Sequence, residues 1–221
     1  MSDLWVFGYG SLMWRPGFDH VEARPATLNG YRRCFCIYSV HHRGSDERPG
    51  LVLGLDRGGS CRGMAFRVPA RAARQTLIYL RAREQVKGVY REASVALEIH
   101  GLPGQVTGLA FIAERAHPSY AGRLPISTQA RLIRAARGLS GANLDYFAST
   151  LEHLTVLGFR ERELERVGVA AGPMLTRGNG RDRSARIKGL VSACQGERVS
   201  VRHIAPSERK RFIHRLKLGA G

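Results

Sequence analysis

One carboxylate and one glycine turn carry most of the chemistry available to this chain. The turn is Val6-Phe7-Gly8-Tyr9-Gly10-Ser11-Leu12, where the apolar stretch Leu4-Trp5-Val6-Phe7 runs straight into Gly-Tyr-Gly-Ser. Glycine admits positive φ and lets a ligand approach the main chain closely. Consecutive free N–H groups at such a turn form a concavity that suits an anion, either a carboxylate or an oxyanion. The turn is not a dinucleotide fingerprint, because Met13 stands where the third glycine belongs, and it is not a phosphate loop, because no Gly-Lys-Ser/Thr follows. Two glycines alone specify no more than a turn. The carboxylate is Glu84, preceded by Tyr79, Leu80 and Arg83 and followed by Gly88 and Tyr90. A glutamate closing a helix is poorly placed against the helix dipole. Such a group is ordinarily solvated surface. It becomes a general acid/base near neutral pH when partial burial beside an aromatic raises its pKa.

The elements that must position these groups follow from periodicity. Residues 3–9 and 26–40 read as strands, the second rich in aromatic and β-branched side chains. His41 to Pro49 reads as a loop. Leu51 to Leu55 reads as a short strand ending at an Asp56-Arg57-Gly58-Gly59 turn, and Cys61 to Val68 as a further strand. After Pro69 a helix runs to Glu84, with Ala73, Leu77, Leu80 and Glu84 on one side. Strands over 91–99 and 106–113 follow, then a loop over His117 to Gly122. Ser127 suits the N-cap of a helix over 129–137. Ser140 or Asn143 opens a longer helix through Val156, Gly158 can end it, and Glu161 to Arg166 extends or restarts it. Strands, helix, strands, helices is not regular βαβ alternation. It points to an α+β fold with a largely antiparallel or mixed sheet, curled into a barrel, and helices outside.

The chain has 221 residues, enough for one sizeable core, and 43% of them are hydrophobic. No apolar run approaches the ~20 residues a membrane span needs, and the N-terminus shows no secretory signal. Cys34, Cys36, Cys61 and Cys194 form neither a Cys-x-x-Cys pair nor a disulfide framework, so buried thiols in a reducing, cytoplasmic setting are expected. The formal net charge is +17. From Gly168 onward there are 12 Lys+Arg against 3 Asp+Glu, so the last quarter of the chain holds more than half of the excess. Two divisions are expected: a folded domain over 1–167 and a basic, Gly/Arg-rich, disordered extension over 168–221. Within that extension, 187–204 suits a marginal hairpin and 207–218 a short basic helix. Such a charge fits either nucleic-acid contact or the steering of a small acidic substrate.

The ordered motifs resemble the ChaC-type γ-glutamylcyclotransferases over about residues 4 to 165. The resemblance rests on Val6 to Trp14, Arg32-Arg33 with aromatic neighbours, His42-Arg43-Gly44, Pro49-Gly50-Leu51-Val52, Tyr79 to Glu84 with Tyr90-Arg91, Pro118-Ser119-Tyr120-Ala121-Gly122, Gly138 with Ser140-Gly141, and Asn143-x-x-Tyr146. It implies that the domain over 1–167 is catalytic, a small mixed β-barrel with flanking helices, with no cofactor and no metal. It implies cleavage of glutathione to 5-oxoproline and cysteinylglycine by attack of the γ-glutamyl α-amine on its own γ-carbonyl. The family's Tyr-Gly-Ser-x loop carries over to Tyr9, Gly10, Ser11 and Leu12, and its catalytic carboxylate to Glu84. Arg43 would then pair with a substrate carboxylate, and Tyr90 and Tyr120 would wall the pocket. Two places depart from the family pattern. Glu84-Gln85-Val86-Lys87-Gly88-Val89-Tyr90 is longer than the Glu-Lys-Gly-Gly-Tyr of some members, and His41-His42 stands where Asp-His is often found. The alternatives are the same fold acting on other γ-glutamyl amino acids or amines, or a basic nucleic-acid-binding module. Phe212 is the only aromatic in the tail, which disfavours base stacking there.

Overall fold

Two long strands frame the molecule in the computed structural model, which describes residues 2–85 and 88–172. They are β2 (Glu22–Ser39) and β3 (Gly50–Val68), paired antiparallel from Glu22↔Arg67 to Ser39↔Gly50. β1 (Leu4–Gly8) lies antiparallel to β3 and touches β5 (Val106–Ala113) in parallel at Val6↔Leu109. β4 (Tyr90–Ile99) pairs with β5 along its length and with β2 at Ala26↔Ile99 and Thr27↔Glu98. The order β1-β3-β2-β4-β5 closes a five-stranded barrel. The α+β mixed barrel with outer helices expected from the sequence is the fold that forms.

The expected break at Asp56 to Gly59 does not occur. β3 continues through it, and the glycines form a bulge in place of a turn. Gly58 and Gly59 have φ of 99° and 75°, and they lie opposite the register shift between Asn29 and Tyr31, where Gly30 has φ 82°. A bulge bends and twists a strand that would otherwise be too straight to close a small barrel. Closure also explains why a nominal turn residue, Asp56, is buried. Its carboxylate takes Arg115 Nε at 2.8 Å and Arg32 Nη2 at 3.2 Å.

The helices cover the outside. α1 (Ala70–Glu84) buries Thr76 and Leu80, a stripe turned slightly from the expected Ala73, Leu77, Leu80, Glu84 face. α2 (Ile126–Ala135) starts three residues earlier than expected. Pro125 occupies its N-cap and no side chain caps it, so Ser127 lies inside the first turn and is not the cap. A two-residue hairpin, β6 (Arg137–Gly138) with β7 (Gly141–Ala142), leads into α3 (Asn143–Val156). Asn143 is fully buried and locks α3 to the barrel. Its amide donates to Leu51 O and its carbonyl accepts from Leu51 N–H, both at 2.7 Å. Phe147 then packs on Phe35, with ring centroids 5.0 Å apart. Gly158, at φ 72°, ends α3 region as expected. α4 (Arg162–Ala171) buries Leu164, Val167 and Ala171, so it carries the chain across residue 168, where the composition changes. The expectations for 187–204 and 207–218 lie outside the described residues. Among the described residues no helix is long and apolar enough to cross a membrane.

Candidate active site

The chain leaves β1 at Gly8 and enters a single 3-10 turn, Ser11–Met13. Neither Gly8 nor Gly10 has positive φ, contrary to the expectation for this loop. Gly8 is required by contact. A Cβ there would lie 3.1 Å from Leu12 Cβ and 3.2 Å from Met13 N, so the turn folds back on its own strand. The N–H groups of Met13, Trp14 and Arg15 are spent on the carbonyls of Gly10 and Ser11. Those of Ser11 and Leu12, at the start of the turn, take no backbone acceptor among the described residues, as the first amides of any helix do. Ser11 and Leu12 therefore carry the amides of this turn that remain able to meet an anion.

Tyr9, Gly10, Ser11, Leu12, Leu53, Glu84, Tyr90, Phe111 and Tyr146 line one cleft of about 70 Å³. β1 delivers Tyr9 and the turn, β3 Leu53, α1 Glu84, β4 Tyr90, β5 Phe111 and α3 Tyr146. Glu84 is the last residue of α1, with its side chain 18% exposed. Burial pushes its carboxyl above the usual carboxylate range, and the Arg83 guanidinium, 3.0 Å from Oε1, partly opposes that shift. The negative, C-terminal end of the helix dipole acts in the same direction as burial. Burial also holds the Tyr9 and Tyr90 phenols well above their ordinary value, and Tyr146 above it, so all three are neutral donors near pH 7. Tyr90 Oη donates to Leu53 O at 2.6 Å, which fixes the ring as a wall. A protonatable carboxylate, free amides and neutral phenols at one apolar-backed cleft can move a proton while holding an anion.

Six of the eight residues named from the sequence meet here: Tyr9, Gly10, Ser11, Leu12, Glu84 and Tyr90. Two do not. Arg43 Nη1 donates to the carbonyls of Ser140 (2.6 Å) and Ala142 (3.3 Å), and its guanidinium sits 5.2 Å from the centroid of the Tyr146 ring. It braces the hairpin before α3 and lies over the ring of Tyr146, which lines the cleft. Tyr120 makes a lone antiparallel bridge with Ile37, its ring centroid is 6.0 Å from the Arg115 guanidinium, and it packs with Tyr90 against Cys36, Ile37 and Ala113 without lining the cleft. Sequence reading passed over Tyr146 as a lining residue, although Asn143-x-x-Tyr146 contained the signal: with Asn143 pinned to Leu51, a side chain one helical turn on comes down at the cleft. It also passed over Arg33, which is 4% exposed. Arg33 Nε donates to Tyr9 O, Nη1 to the Glu161 carboxylate and Nη2 to Arg62 O at 2.5 Å, so it carries the turn from beneath.

The ChaC-like protein family model matches residues 4–169. A mouse protein named glutathione-specific gamma-glutamylcyclotransferase 1 is 37% identical over 177 residues, covering 78% of this chain and 79% of that one. The glutathione-specific gamma-glutamylcyclotransferase of Escherichia coli K12 is 34% identical over 172 residues, covering 78% of this chain and 74% of its own. Among solved structures, a yeast gamma-glutamyl cyclotransferase specific to glutathione has the same fold, with a TM-score of 0.68 at 20% identity over 77% of this chain and 98% of that one.

Proposed function

This chain belongs to the ChaC-like protein family, and from that membership we propose that it is a glutathione-degrading γ-glutamylcyclotransferase in which Glu84 shuttles the proton. The observation that supports this reading most directly is the shared cleft of Glu84 and the Tyr9–Leu12 turn. The γ-glutamyl α-amine is mostly protonated at neutral pH and cannot attack. Glu84 takes that proton, and the upward shift that burial gives its carboxyl narrows the gap to the ammonium. The freed amine attacks its own γ-carbonyl, forming the ring C–N bond. As the intermediate collapses, Glu84 returns that proton to the cysteinyl nitrogen and the C–N bond to it breaks. The carboxylate then takes the second proton from the ring nitrogen and passes it to the departing amine, which leaves as the ammonium, so Glu84 ends ionised as it began. Both reacting groups belong to one molecule, so the substrate supplies much of the proximity.

The amides of Ser11 and Leu12 hold either the α-carboxylate or the developing oxyanion. In the second case they contribute ~3–4 kcal/mol per donor. Tyr90 and Tyr146 shape the opposite wall. The small cleft suits the γ-glutamyl head, with the rest of the substrate lying toward solvent.

The test is release of 5-oxoproline and cysteinylglycine, one for one, from glutathione by the purified chain, with γ-glutamyl-alanine run alongside. Preference for glutathione in kcat/KM supports the reading. Equal or better turnover of γ-glutamyl-alanine would move the substrate to γ-glutamyl amino acids in general. No product from either would overturn it.

A further inference from the structure

We propose that Arg83 is the positioning residue of this site, tying Glu84 to the Ser11 turn through a single guanidinium. The inference rests on Glu84 as the proton shuttle. Residues i and i+1 of a helix do not ordinarily face each other, so an Arg83–Glu84 pair is not what α1 would give by default. It arises because the Arg83 side chain is held elsewhere. Nη2 donates to Ser11 Oγ at 2.9 Å. Nη1 donates to Arg15 O at 2.6 Å, to Tyr79 Oη at 3.0 Å and to Pro16 O at 3.2 Å. Nε is left for Glu84 Oε1, at 3.0 Å. All three guanidinium nitrogens are therefore engaged, in a planar fork that a lysine ammonium cannot reproduce.

The loop beyond the turn is pressed onto the same helix. Gly17, at φ 74°, has no room for a side chain, since a Cβ would fall 2.1 Å from Tyr79 Oη. The end of α1 and residues 11–17 are thus packed and hydrogen-bonded together. Arg83 fixes Oε1 and leaves Oε2 to meet the substrate amine. It also orients the Ser11 hydroxyl, so that side chain serves the turn and is not itself the nucleophile. The other titratable groups facing Glu84 are Tyr9, Tyr90 and Tyr146, all held neutral by burial. The acidic limb of the pH profile therefore reports Glu84.

The test compares kcat/KM against pH for wild type, Arg83→Lys, Arg83→Met and Glu84→Gln. Arg83→Met removes the opposing positive charge, so its acidic limb moves to higher pH and its kcat/KM at pH 7.5 falls ~10–100-fold, the range of lost positioning and proton-transfer effects. Arg83→Lys keeps the charge but loses the fork: its limb stays near that of wild type while kcat falls. Should Arg83→Met fail to fold, the Lys variant decides, and kcat within ~3-fold of wild type overturns the proposal. An Arg83→Met limb at the wild-type position also overturns it, since a merely structural role lowers activity without moving the limb. Near-normal turnover by Glu84→Gln overturns the shuttle reading and this proposal together, whereas an inactive Glu84→Gln with unchanged Arg83 variants overturns this proposal alone.

Discussion

The buried guanidinium of Arg33 donates to the main-chain carbonyl of Tyr9, joining the middle of a barrel strand to the turn that holds the free amides. The same group reaches Glu161, just before α4, and the carbonyl of Arg62 on β3. Three chain segments thus meet on one side chain whose relative exposure is 0%. A buried charge so placed has no alternative partner in water, and removing it strands the Glu161 carboxylate and two carbonyls.

Arg33→Met is accordingly expected to cost about 3–5 kcal/mol of unfolding free energy, the range for breaking a buried ion pair. Glu161→Gln keeps an acceptor for Nη1 and should cost less. Urea titration of the two variants checks the ordering. A loss below about 1 kcal/mol for Arg33→Met would show that the network is not needed.

Arg33 also marks where sequence reading stops. Period-two alternation along β2 says that one of Arg32 and Arg33 points inward, but not which partners await it, because Tyr9, Arg62 and Glu161 come from three distant parts of the chain. The Tyr9–Leu12 turn, Glu84 and Tyr90 were legible since each lies in a short, ordered motif. The continuity of β3 was not, because Gly58 and Gly59 write the same local signal whether they make a turn or a bulge; only the partner strand decides. The contacts of Arg43 were hidden for a related reason. Its chemistry suits a carboxylate equally well, and the carbonyls that occupy it belong to a hairpin almost a hundred residues away.

Arg43→Ala is expected to destabilise the fold by about 1–3 kcal/mol through loss of its charged hydrogen bonds to Ser140 and Ala142. KM for glutathione should change less than ~5-fold. A KM rise of ~30-fold or more, equivalent to the ~2 kcal/mol of a lost charged contact, would place Arg43 on the substrate instead.

Glu84 should cost the fold stability wherever it is ionised. Its folded-state pKa is raised above the unfolded value, so the favourable contribution of the neutral acid is fully present below the unfolded pKa and is lost as pH rises through the folded one. Glu84→Gln is therefore expected to match or exceed the wild-type Tm at pH 7.5, with the difference shrinking toward pH 4. Calorimetry at both values checks this. A Tm clearly below wild type at pH 7.5 would mean that the carboxylate is stabilising, and that its pairing with Arg83 outweighs burial.

A chain ending at Gly172 keeps the buried Leu164, Val167 and Ala171 of α4. It should retain glutathione cleavage within ~3-fold of the full chain. If the basic residues beyond it contact nucleic acid, the full chain alone should bind DNA or RNA with a strongly salt-dependent affinity. Loss of cleavage on truncation would instead make the extension part of the enzyme.

The most direct measurement is single-turnover release of 5-oxoproline from glutathione by Glu84→Gln, with the far-ultraviolet spectrum and Tm recorded on the same sample. A native-like fold with the rate reduced ~10²–10⁴-fold, the usual worth of a positioned acid/base, is the predicted result. A rate within a few-fold of wild type would contradict it, because the α-ammonium would then be losing its proton to some other group.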